Sequence, residues 1–129
     1  MISSILYFCL IMNSSTGQVQ NVVKEFHQLK SEKAEKAFIN RHKKNTNPSV
    51  MAYVVSISMK QAEYSYNPYF KFAVFKRNKQ ILNNLIKKHG SNIHLRYVRL
   101  VLQENTPLIL WQANYMKEDK NFLKNKLRI

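Results

Sequence analysis

Arg96, Arg99 and Gln103 carry the most chemistry in this chain. Their spacings of three and four put them on one line of a helix. The rest of that segment, residues 92–105, is mainly apolar, with Ile93, Leu95, Tyr97, Val98, Leu100, Val101 and Leu102 covering most of the wheel. A helix apolar nearly all round is buried by neighbours on several sides. A guanidinium in such surroundings needs an anion beside it, because an uncompensated buried charge costs about 3–5 kcal/mol. Two kinds of partner satisfy that need. One is an internal carboxylate, for which Glu63, Glu104, Glu118 and Asp119 are candidates. The other is the carboxylate or phosphate of a small ligand, whose shape the guanidinium fork matches. Arg96, Arg99 and Gln103 therefore form a candidate structural ion-pair or anion site.

Other chemistry is thinly represented. There is no serine or cysteine nucleophile motif, no His-Glu-x-x-His and no glycine-rich phosphate loop. A single cysteine, Cys9, excludes an intrachain disulfide and a thiolate metal cluster. His27, His42, His89 and His94 lack zinc-ligand spacing and are expected to be partly exposed. Of the seven acids, Glu25, Glu32 and Glu35 follow a surface-helix pattern, and Glu118 and Asp119, being adjacent, should point in different directions. The expectation is a protein that is not an enzyme, with no cofactor and no metal.

The elements that must position the arginines are helical. At 129 residues the chain is long enough for one domain with a sizeable core, and its two glycines and three prolines leave little material for hairpins. Residues 18–44 follow a helical period through Val19, Val22, Val23, Phe26, the stem of Lys30, Ala34, Ala37 and Phe38, and read as one amphipathic surface helix. Asn47-Pro48 and Asn67-Pro68 are helix starts, with asparagine capping and proline in the first turn. Residues 49–64 are rich in β-branched side chains, but their length without turn residues favours a buried helix. The helix over 69–89 should turn Phe72, Phe75, Leu82, Leu85 and Ile86 inward, with Gly90 as a left-handed stop. Asn92 caps the arginine helix, Thr106-Pro107 ends it, a turn or two covers 108–111, and a last helix spans 115–127. The expected fold is all-α: a small bundle of about five to six helices, in successive tetratricopeptide-like pairs around a central buried helix at about 92–105. The small-residue positions of that repeat are not met, so the likeness is architectural.

Residues 1–17 stand apart. An apolar run from Ile2 to Met12 is too short to span a bilayer, and Ser15-Thr16-Gly17 offers small residues before Gln18. This reads as a signal peptide ahead of a single helical domain, 18–129, although the leading segment carries no lysine or arginine. The alternative is a first helix of the fold. Export implies a periplasmic or secreted protein; without cleavage the protein is cytoplasmic. No transmembrane span is expected.

The formal charge is +14, from 21 basic and seven acidic residues. It fits an anionic partner such as nucleic acid, a lipid surface or an acidic polysaccharide. It also fits a lysine-rich solvated surface without function. Residues 51–127 resemble a family of small exported all-helical bacterial proteins to which no activity is assigned. The resemblance rests on Tyr64-Ser65-Tyr66-Asn67-Pro68, on Ile93, Arg96, Tyr97, Val98 and Arg99, and on Gln103, Asn105, Pro107 and Asp119-Lys120. His94 and Leu110-Trp111-Gln112 depart from it. It implies an exported chain and no particular activity. The first functional reading is a non-catalytic interaction or ligand-binding module of the envelope, taking a protein or small anionic ligand. The second is a basic nucleic-acid-binding module, with Tyr64, Tyr66, Tyr69 and Phe70 stacking beside Lys71, Lys76 and Arg77.

Overall fold

Three asparagines set the beginnings of three helices in the computed structural model, which describes residues 17–127. Asn47 accepts from the Ser49 amide at 2.9 Å, Asn67 from Tyr69 at 3.0 Å, and Asn92 from His94 at 2.9 Å. Each satisfies a backbone donor that has no partner within its helix. The elements in order are α1 (Gly17–Gln28), α2 (Glu32–His42), α3 (Pro48–Gln61), α4 (Pro68–Lys88), α5 (Ile93–Asn105) and α6 (Met116–Leu127). Short 3₁₀ turns, Ala62–Tyr64 and Leu108–Trp111, follow α3 and α5. The molecule is an all-helical bundle.

The single helix expected over 18–44 is two. Ser31 adopts an extended conformation, φ −145° and ψ 156°, and its hydroxyl accepts from the Ala34 amide at 3.1 Å. That cap starts a new helix, and Lys30, expected to contribute its stem to the apolar face, is exposed. The break lets Phe26 and Phe38 meet, with Phe26 also against Tyr53 at 5.0 Å between ring centroids. Gly90 also differs from expectation. Helix α4 ends through His89, whose amide bonds Leu85 O, and the left-handed conformation among the described residues belongs to Gln112, at φ 60°.

Helix α3 packs against α1, α2, α4 and α5, while α5 also packs against α4 and α6. The core therefore centres on the α3–α5 pair, and α5 shares the central place expected for it alone. Its largest fully buried side chains include Phe38, Tyr53, Leu82, Leu95, Leu100 and Trp111. Fully burying one such apolar side chain is worth about 1.5–3 kcal/mol. Isolated helices of these lengths are marginal in water, so packing is what holds them. Phe72 does not join the core; it stands exposed at the start of α4. Of the expected signal peptide, residues 1–17, all but Gly17, including Cys9, lie outside the described residues. The bond between Gly17 and Gln18 falls in the first turn of α1.

Candidate functional site

The arginine line of α5 meets α6. Arg99 donates from Nε to Asp119 Oδ2 at 2.8 Å and from Nη2 to Oδ1 at 2.7 Å, a two-pronged pair. Its Nη1 reaches Asn83 of α4 at 3.1 Å, and the Tyr115 ring lies 4.0 Å from its guanidinium carbon. Arg96 donates from Nη1 to both Glu118, at 2.7 Å, and Asp119, at 3.2 Å, above the Phe122 ring. Gln103 donates to Asp119 at 3.3 Å and accepts from the Tyr115 amide at 2.8 Å, which ties it to the entry of α6. All three candidate residues thus come together around one carboxylate that is wholly buried. Two guanidinium groups face two carboxylates, so the cluster balances its own charge. Glu118 and Asp119 converge here after all, because Arg96 reaches across both. Glu63, another candidate partner, lies elsewhere, in a groove described below. Asp119 also sits in the first turn of α6, where the helix dipole favours negative charge.

Two buried polar groups were not visible as such in the sequence. Glu35, assigned above to a surface face, has no exposure at all. It accepts from Gln61 at 2.8 Å and Tyr64 at 3.0 Å, and Lys60 pairs with its other oxygen at 2.8 Å. The Glu35 hydrogen bond holds the Lys60 ammonium above its usual range. His94 is buried as well, contrary to the expected partial exposure. Its Nδ1 lies 2.7 Å from the Tyr53 hydroxyl. Burial pushes His94 down to about 4 and the Tyr53 phenol well up. A neutral imidazole therefore shares this hydrogen bond with a protonated phenol.

The cavity is found on another face. A groove of about 740 Å³ opens between the end of α3, the start of α4 and the end of α5. Met59, Phe72, Phe75, Val101, Leu102 and Leu110 form its mainly apolar lining. Lys60, Glu63, Lys71 and Asn105 supply polar groups to the lining. Its size falls within the range of small-molecule sites, and an apolar lining with few polar groups is the usual make-up of such sites. Phe75 also meets Trp111 edge-to-face at 5.4 Å, so the one tryptophan lies directly behind the wall. The signal for this groove was present in Val101 and Leu102, which belong to the apolar wheel of α5 but are only partly covered. Periodicity marked them as core and did not show that the described residues cover them only in part.

No family model, curated protein or solved structure matches the chain. The geometry must therefore carry the functional reading. Among the described residues no group of three or more histidine, cysteine, aspartate or glutamate side chains is placed to hold a metal ion. No described helix is long and apolar enough to cross a membrane. The stacking candidates Tyr64, Tyr66, Tyr69 and Phe70 are all exposed, close to Lys71 in sequence.

Proposed function

We propose that the protein is a non-catalytic binding module whose ligand seat is the groove between α3, α4 and α5. The single observation that supports this is an open, mainly apolar cavity of ligand size between these three helices. The arginine cluster serves as the strut behind it: it fixes α6 against α5, and its charges are already matched. The ligand that suits the groove is elongated and apolar, with an anionic group at one end. Its apolar part lies along Met59, Phe72 and Leu102, and its charge is drawn to exposed Lys71 and to the surplus of positive charge on the whole chain. Residence in the bacterial envelope and kinship with small exported helical proteins belong to the same proposal. They rest on the sequence resemblance alone, which Arg96, Arg99, Gln103 and Asp119 help to carry.

Titrating palmitate into the protein while following Trp111 fluorescence tests the seat. The expected result is a saturable change that Leu102→Asp abolishes, because a carboxylate cannot be desolvated beside the ligand chain and repels its anionic end. A flat titration, or one that Leu102→Asp leaves intact, contradicts the assignment. The nucleic-acid alternative makes no use of this cavity and predicts that palmitate has no effect.

A further inference from the structure

The start of α4 is the least covered part of the described chain. Residues 66–73 are exposed without interruption, although they include two tyrosines and two phenylalanines. Tyr66 is 101% exposed and Tyr69 85%, and Ile109, from the turn after α5, is 84% exposed. Tyr69, Phe72 and Lys76 follow one another at spacings of three and four and so share a helix face. Phe72, Lys76 and Ile109 line one small cleft, which brings two distant segments to a common edge. Single exposed apolar residues need no explanation, whereas a contiguous group marks a contact surface.

We infer that this edge, Tyr66, Tyr69, Phe72 and Ile109 flanked by Lys71 and Lys76, docks on an anionic lipid surface. Tyrosine suits the boundary between headgroups and acyl chains, since its ring is apolar and its hydroxyl is wet. Phe72 and Ile109 supply groups that enter the apolar layer, and the lysines meet the lipid phosphates. A chain of net charge +14 is attracted to such a surface at long range. Two other occupants fit less well. Ile109 offers no flat face on which a base stacks, which disfavours single-stranded nucleic acid. A second copy brings the same lysines to the same edge, and like charges then oppose each other. The inference does not depend on the groove being filled. It concerns a different surface, although Phe72 and Lys71 border both.

Flotation with vesicles provides the test. One set is phosphatidylcholine alone, and the other contains about one-third phosphatidylglycerol, an anionic lipid of the kind that attracts basic segments. The protein should float with the anionic vesicles and stay behind with the neutral ones. Lys71→Glu and Lys76→Glu should each lower partitioning by at least about fivefold, the factor expected for one basic residue near an anionic surface. Tyr66→Ala with Ile109→Asp should lower it by about tenfold or more, by loss of apolar burial. Both sites are almost fully exposed, so the melting temperature should not move, and that control excludes unfolding. Three results overturn the inference. Equal flotation with both vesicle types, or none, removes the lipid surface. Binding of a single-stranded oligonucleotide that Tyr66→Ala and Tyr69→Ala abolish and Ile109→Asp does not would assign the edge to stacking. A dimer in sedimentation that Ile109→Asp dissolves would assign it to a second copy.

Discussion

Replacing Asp119 by asparagine keeps the shape of the side chain and removes the charge on which the arginine cluster closes. In the native protein Asp119 receives two hydrogen bonds from Arg99, one from Arg96 and one from Gln103. After the change Arg99, with only 4% of its side chain exposed, faces an amide that has one acceptor oxygen. The amide N–H groups also point at donors. Breaking a buried pair from one side costs about 3–5 kcal/mol. For a domain of this size that corresponds to a fall in melting temperature of roughly 12–20 °C. Arg99→Met costs less than the aspartate change, because Asp119 retains Arg96 and Gln103. The double variant should then lose less than the sum of the two, with a coupling of about 1–3 kcal/mol as found for residues in direct contact. Urea unfolding followed by Trp111 fluorescence measures all four corners of the cycle. The reasoning is refuted if Asp119→Asn costs under about 1 kcal/mol, or if the two changes add within the roughly 0.5 kcal/mol typical of independent sites. An unharmed Arg99→Met protein would instead favour the fork as a seat for an external anion.

Acid should expose His94. Its folded-state pKa, about 4, lies below the ordinary 6.5, so the unfolded chain binds the extra proton between these values. The contribution is fully present above pH 6.5 and is lost as pH falls toward 4, about 3 kcal/mol in all. His94→Gln should flatten the stability profile in that window, and an unchanged slope in chemical denaturation from pH 7 to 4 would contradict the assignment. Gln112→Gly should stabilise the protein by about 0.5–1 kcal/mol, because a left-handed backbone strains any side chain with a Cβ. Thermal denaturation reads that change, and a lower melting temperature would show that the long contact of Lys79 with Gln112 outweighs the strain.

Much of the scaffold could be read from local rules. Asn47, Asn67 and Asn92 announce helix starts because capping is decided by one residue and the few amides after it. Ser31 is the same kind of signal, masked by a helical period that runs through it in Val23, Phe26, Ala34 and Phe38. The arginine line of α5 was legible since Arg96, Arg99 and Gln103 lie on one element. Asp119 appeared only as one acid among several, because choosing it requires knowing how α6 lies on α5. Glu35 and His94 show the reverse limit. Glu35 sits in a polar sequence neighbourhood and His94 between Ile93 and Leu95, and in both cases distant partners, Lys60, Gln61 and Tyr64 for one and Tyr53 for the other, accompany the burial. The groove escaped for a related reason. Val101 and Leu102 have the same periodic signature whether a neighbour covers them or solvent does, and Phe72, at an inward position of the wheel, stands exposed at the groove.

The central claim is that the α3–α4–α5 groove seats an apolar ligand with an anionic end. The most direct measurement is a palmitate titration of isotope-labelled protein followed by amide and methyl nuclear magnetic resonance. The account predicts saturable shifts at Met59, Phe72, Val101, Leu102 and Leu110, with the α1–α2 pair and the Arg99–Asp119 cluster unmoved. No shifts under saturating ligand, or shifts centred on the arginine cluster, would contradict it.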